Sequence, residues 1–180
     1  MAVIDVITYN GEKELFEIRY HILKDFVDEF RVIEFDKTFS GRRKKSTFNQ
    51  HWFKVNHYFV NEDIWGKYWE EAKKSPNTDY GEGAKHWIRE WGMKESIKDC
   101  LTDLEDEDII YIGDCDEIWE RLIKPNFPIK LKLRVYTYWL NNHSSEDFWG
   151  TLVLPWGYLK NKCLNHERSK ESHRDQSGYN

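Results

Sequence analysis

The run Asp114-Cys115-Asp116-Glu117 gathers three carboxylates in four residues, directly after the apolar stretch Asp108–Ile112. Two carboxylates two residues apart in a non-helical turn can converge on one cation, and hard oxygen donors suit Mg2+ or Mn2+. Such an ion would bridge a diphosphate and neutralise the charge that grows on it as a leaving group. Spacing by itself decides nothing: with 14 Asp among 180 residues, chance supplies about one Asp-x-Asp, the ordinary false-positive risk of a short motif. The chain has two, Asp106-Glu107-Asp108 and Asp114-Cys115-Asp116. The first lies in the charge run Asp103–Asp108 and reads as a solvated turn without function. The second lies at the carboxyl end of a buried strand, where α/β sheets place their ligands. Gly113 would let the backbone turn sharply there and approach a ligand closely. The same residues also suit a helix start, with Asp114 or Asp116 capping a helix through Glu120.

Other chemistry finds less to work with. There is no G-x-G-x-x-G and no Walker loop to cradle phosphates. None of the seven His pairs at metal spacing with another His or Cys. The three cysteines (Cys100, Cys115, Cys163) form no C-x-x-C, so they outline neither a disulfide framework nor a zinc site. Cys115, between two carboxylates, is a poor thiolate. A net charge of −5 argues against a general nucleic-acid partner, which needs a basic field. The cluster Arg42-Arg43-Lys44-Lys45 reads as a solvated loop. Aromatics reach 16%, with nine Trp, and serve either as bulky core or as stacking platforms for sugar rings and bases.

The elements that must position these residues follow a βαβ rhythm. Val3–Tyr9 reads as a strand and Asn10-Gly11 as a turn. Glu12–Phe26 reads as a helix with Leu15, Ile18, Ile22 and Phe26 toward the core, and Phe30–Phe35 as a second strand. That rhythm predicts a parallel sheet covered by helices. Lys37–Thr47 is a polar loop pivoting on Ser40-Gly41. The aromatic-rich stretch Phe48–Trp69 resists assignment, beyond a helix from Glu62 to Lys73. Ser75–Gly83 is a loop. Ala84–Leu101 reads as a helix that turns Trp87, Ile88, Trp91, Ile97 and Leu101 inward. Strict alternation over Ile129–Trp139, with Lys130, Lys132 and Arg134 on the wet face, predicts a half-exposed strand, antiparallel or near an edge. Gly150–Leu154 is a further strand. At 180 residues the chain makes one domain, over residues 1–160. Residues 161–180 form a polar tail, expected to be disordered.

Several blocks, in order along Val3–Leu159, resemble glycosyltransferase family 17, the group containing β-1,4-mannosyl-glycoprotein β-1,4-N-acetylglucosaminyltransferase. Asp5–Tyr9 with Asn10, Glu12 and Glu17-Ile18-Arg19 resembles its opening strand and helix. Val32-Ile33-Glu34 and Lys37-Thr38-Phe39-Ser40-Gly41 resemble its V-I/V-E and K-T-F-S-G segments. Trp87-Ile88-Arg89-Glu90 is similar to its W-x-R-E helix, and Asp108-Ile109-Ile110 with Asp114-Cys115-Asp116-Glu117-Ile118 to its D-D-I-I-x-x-S-D-x-D-E-I-P. Tyr138-Trp139-Leu140-Asn141 and Trp149-Gly150-Thr151 echo later segments. The resemblance implies an α/β fold of the GT-A type, a Rossmann-like mixed sheet flanked by helices. It further implies a UDP-sugar donor, a glycan acceptor, a divalent metal (Mn2+ or Mg2+) and inversion at the anomeric carbon. By position, Asp114 and Asp116 would hold the metal, with Asp114 also on the donor. Asn10, Glu12 and Glu34 would lie near the nucleotide, and Arg89 and Lys94 would meet the diphosphate. Glu117 is a base candidate by proximity.

The chain departs from the family pattern at Trp119, where proline follows D-E-I, and at Met93, where glutamine is usual. It also lacks the later G-W-H-F-S-like segment. A binding module for nucleotide-sugar or glycan, without turnover, is therefore the alternative, and a metal-dependent phosphohydrolase a third reading. No stretch approaches the ~20 apolar residues of a membrane span, and no signal peptide is visible. Those features lead us to expect a cytoplasmic protein in a bacterial or viral setting, or a Golgi-lumenal one if the chain is a piece of a eukaryotic enzyme.

Overall fold

A mostly apolar, β-branched run makes the first strand, β1 (Val3–Tyr9), which is buried on both faces. The computed structural model describes residues 1–49, 51, 53–73, 84–136 and 142–174. β1 pairs in parallel with β2 (Glu29–Phe35) on one side and with β4 (Ile109–Asp114) on the other. β3 (Asn56–Val60) extends the sheet in parallel beyond β2. β6 (His143–Pro155) runs antiparallel to β4, and β5 (Ile129–Tyr136) closes that edge antiparallel to β6. The six strands lie in the order β3-β2-β1-β4-β6-β5, the mixed sheet flanked by helices that the family resemblance implies, with the parallel strands of the βαβ rhythm at its centre. The sequence does not mark β3, because Asn56-His57-Tyr58-Phe59-Val60 has no clean alternation and no Gly or Pro just before it.

Helix α1 (Lys13–Leu23) follows Gly11, whose φ of 106° makes the turn out of β1. Its buried face differs from the expected one. Phe16, Arg19 and Leu23 face the sheet, whereas Ile18, Ile22 and Phe26 are exposed. A charged residue on the inner face misled the apolar periodicity: Arg19 is buried because it meets Asp5 of β1 through two hydrogen bonds of 2.7 Å. The segment expected as one helix from Glu62 is broken into α2 (Glu62–Trp65), a 3-10 turn at Gly66–Tyr68 and α3 (Trp69–Ala72). α4 (Ala84–Ser96) continues as a 3-10 turn, Ile97–Cys100. Ile97 and Leu101 are buried as expected, but Trp87 is exposed.

The acidic run before β4 does structural work, contrary to expectation. Asp103 pairs with the buried Arg31 (2.6 Å), Asp108 accepts the Ala2 amide (2.6 Å), and Asp106 holds Lys160 (2.6 Å). β5 is the antiparallel edge strand predicted, although Lys130, assigned to its wet face, is buried. The expected tail is also different. After α5 (Trp156–Leu159), Leu164–Ser169 forms α6, with Leu164 and Glu167 buried. The Glu95 carboxylate on α4 fixes the start of α6, accepting from the amides of Leu164 and Asn165, both at 3.2 Å. The expected loop Ser75–Gly83, the block Tyr138–Asn141, the end of the predicted Ile129–Trp139 strand and residues 175–180 lie outside the described residues. Among those described, no helix is long and apolar enough to cross a membrane.

Candidate functional site

The chain leaves β1 toward β2 on one side and returns to β4 on the other, so the sheet has a switch point between β1 and β4, the place where α/β sheets open a crevice. A cleft of about 260 Å3 opens there, lined by the ends of β1 and β4, the loop after β2 and one face of α4. Asn10, Glu12, Lys94, Asp114 and Asp116, all expected at the site, line it. Lys37 and Lys44 line it too. Lys44 Nζ donates to Asn10 Oδ1 at 2.7 Å, tying the basic loop to the end of β1. That places Lys44 in the site, although its cluster read as merely solvated.

Asp114 is the best-held carboxylate of the pair. Thr8 donates its hydroxyl to Oδ1 (2.8 Å), while Lys94 Nζ lies 3.5 Å and Arg168 Nη2 3.8 Å from Oδ2. Burial alone would raise its pKa, but the Arg168 and Lys94 charges hold it below the usual carboxylate range. Asp116 is exposed. The loop from Asp114 is a tight turn, with the Glu117 amide donating to the Asp114 carbonyl at 3.0 Å, and no helix follows as far as Pro128. Capping of a helix through Glu120 is therefore not what these carboxylates do.

A buried frame shapes this turn. Arg19 donates from Nη1 to the carbonyls of Glu117 (2.7 Å) and Asp114 (3.3 Å) while its other nitrogens hold Asp5. Trp119, where the family pattern has proline, donates to Asp5 Oδ1 (3.1 Å) and stacks on Tyr111 with ring centroids 4.0 Å apart. Gly113 lies within β4 without positive φ, so it serves space and not the sharp turn expected of it. A Cβ there would lie 2.5 Å from Glu117 Oε2 and 2.7 Å from Thr151 Oγ1.

Three expected site residues take other places. Glu117 is 6% exposed and is not part of the cleft lining. Its carboxylate packs against Gly113, Gly150 and Thr151, and faces Arg168 Nη2 at 3.6 Å. Burial pushes its pKa up, but the side chain supports the turn from behind. Glu34 is fully buried, with its oxygens taken by Ser46 and Thr47 and facing His57. It anchors the loop that carries Lys44. Arg89 donates to the Phe39 carbonyl and packs beneath Gly41. With φ at 88° and a Cβ only 2.8 Å from that guanidinium, Gly41 is required on two counts. Arg89 thus clamps the Lys37–Gly41 turn onto α4. No sequence signal points to Arg168, since nothing in a charged tail marks which arginine folds back onto Asp114.

The carboxylates fit a metal only in a restricted sense. Among the described residues, no group of three or more His, Cys, Asp and Glu is arranged to hold an ion. Asp114 and Asp116 alone could anchor a Mg2+ or Mn2+ that keeps water and takes its remaining ligands from substrate phosphates, a common arrangement for Mg2+. Lys94 and Arg168 already lean on one oxygen of Asp114.

Comparison with curated proteins finds no match. The model of a protein family described as glycosyltransferase family 17 matches residues 1–180. The match spans the whole chain, so the chain belongs to glycosyltransferase family 17 and is a glycosyltransferase, an enzyme that transfers a sugar from a donor to a glycan acceptor.

Proposed function

We propose that this family 17 enzyme has a GT-A-type donor site and takes UDP-N-acetylglucosamine as donor. On this reading it holds the diphosphate with a divalent ion (Mn2+ or Mg2+) on Asp114 and Asp116. It transfers the sugar with inversion to a glycan hydroxyl, as a β-1,4-mannosyl-glycoprotein β-1,4-N-acetylglucosaminyltransferase-like enzyme. One observation carries the proposal: Asp114 and Asp116 share a cleft with Lys94 at the carboxyl end of β4, beside the end of β1. In the proposed complex Asn10 and Glu12, at the end of β1, meet the nucleoside. Lys94 and Lys44 flank the diphosphate as point charges. The ion would supply charge neutralisation for the departing UDP. The acceptor oxygen attacks the anomeric carbon as the bond to the diphosphate breaks, and the hydroxyl proton passes to a base within hydrogen-bond reach.

The burial of Glu117 favours a second reading, a module that binds nucleotide-sugar or glycan without turnover. Ligand stabilisation tests the donor site first. A site held at a hundredfold excess of ligand over Kd gains about 2.7 kcal/mol, so UDP with Mn2+ should raise the melting temperature of the wild type and leave Asp116→Ala unmoved. No shift at millimolar UDP and Mn2+ would sink donor binding. Glycan-dependent release of UDP from UDP-N-acetylglucosamine, above the rate without acceptor, separates the enzyme from the binding module.

A further inference from the structure

Arg168 lies outside every motif in the sequence and, like Glu117, just behind the cleft lining, yet it is the side chain that bridges the two carboxylates at the ends of the Asp114–Glu117 turn. Its Nη2 stands 3.8 Å from Asp114 Oδ2 and 3.6 Å from Glu117 Oε1. Both separations are ion-pair distances, beyond hydrogen-bond length. The side chain is only 16% exposed, and Nη1 is buried with no hydrogen-bond partner among the described residues. A guanidinium carries five donors in a rigid fork. This one is taken out of water with a donor unspent, a costly arrangement that needs a reason.

The position of Arg168 is held from both sides. Asn165, three residues earlier, gives its Nδ2 to the Trp91 carbonyl and to Glu95, both at 3.0 Å. Next to it, Glu167 is anchored by Lys170 (2.6 Å), His173 (2.8 Å) and the Tyr158 hydroxyl (3.3 Å). Glu95 and Trp91 belong to α4, the helix that also carries Lys94 into the cleft. Lys94 and Arg168 therefore approach Asp114 Oδ2 from elements that are hydrogen-bonded to each other.

We propose that Arg168 is a donor-binding residue, held between Asp114 and Glu117 in the free protein and turned to the nucleotide diphosphate when donor and ion enter. The proposal rests on the donor reading above. Its physical basis is competition for one oxygen. A cation on Asp114 Oδ2 meets the Arg168 charge there, and that repulsion disfavours an ion bound without nucleotide. An anionic diphosphate between them reverses the sign, and the guanidinium fork matches two phosphate oxygens at once. Arg168 thus makes the turn accept the ion and the diphosphate together in preference to the ion alone.

The test compares wild type, Arg168→Gln and Arg168→Lys as full chains, by calorimetric titration with Mn2+ alone and with UDP at saturating Mn2+. Arg168→Gln should bind Mn2+ alone at least as tightly as wild type, but bind UDP about tenfold more weakly, the scale of one lost charge-assisted hydrogen bond. Arg168→Lys, which keeps the charge and loses the fork, should fall between. Opposite responses to the two ligands are the signature. Unchanged UDP affinity in Arg168→Gln would overturn the proposal. So would equal weakening of both ligands with a lower melting temperature, which would make Arg168 a strut for α6. A wild type that binds no UDP with Mn2+ would remove the donor reading itself, whereas failure confined to the variants leaves that reading standing.

Discussion

Replacing Glu34 by Gln should remove most of one specific acid-sensitive contribution to stability, with a size that follows from the structure. Glu34 is fully buried at the end of β2. Its Oε1 accepts from the Thr47 amide and hydroxyl, both at 2.9 Å, and its Oε2 from Ser46 Oγ at 2.6 Å, with His57 Nε2 at 3.2 Å. Burial by itself would raise its pKa, but hydrogen bonds from His57, Ser46 and Thr47 outweigh it and hold the carboxyl at about 2 instead of 4.5. A carboxyl depressed in the folded state stabilises fully above its unfolded pKa and loses that contribution as pH falls through the folded one. The window therefore runs from 4.5 down to about 2, and at about 1.4 kcal/mol per pKa unit it corresponds to about 3 kcal/mol. Urea unfolding of wild type and Glu34→Gln at a series of pH values measures it. The stability advantage of wild type should shrink by about 3 kcal/mol between neutral pH and pH near 2. Other carboxylates titrate in both proteins and drop out of the difference. An advantage that stays constant across that range would refute the reasoning. UDP affinity at neutral pH should fall as well, because the loop pinned by Glu34 carries Lys44 to Asn10.

Two further substitutions probe the frame beneath the turn. Arg19→Met strands the buried Asp5 carboxylate and should cost about 3–5 kcal/mol in urea unfolding; pairing it with Asp5→Leu removes that stranded charge and should recover part of the stability, the Trp119 indole losing its acceptor, but not UDP binding, because the carbonyls of Asp114 and Glu117 still lack their donor. A double variant binding UDP like wild type would show that this anchor is dispensable. Gly113→Ala puts a methyl 2.5 Å from Glu117 Oε2 and should cost about 1–3 kcal/mol as an overpacked site. A neutral effect in thermal melting would mean that Glu117 is free to move aside.

The parts of this molecule legible in the sequence are those set by neighbours along the chain. β1, β2, β4 and the edge strand β5 follow from local apolar patterning, and the site carboxylates from their place at a strand end. Charged residues that are paired inside escaped that reading. Arg19 and Arg31 sit at positions an apolar pattern scores as surface, and their partners Asp5 and Asp103 are 14 and 72 residues away in sequence. The same blindness hid the division of labour at the site. Glu34, Arg89 and Glu117 stand in recognisable blocks, yet each supports a loop from behind the cleft, while Lys44 lines it from a run that reads as plain solvated charge. Trp119, where the resemblance would put proline, is part of that support. Its indole stacks on Tyr111 and donates to Asp5. Asp5 in turn holds Arg19, and Arg19 holds the carbonyls of Asp114 and Glu117. The position of the Asp114–Glu117 turn is thus fixed by a chain of buried polar contacts reaching back to the first strand, a dependence that no motif spacing encodes.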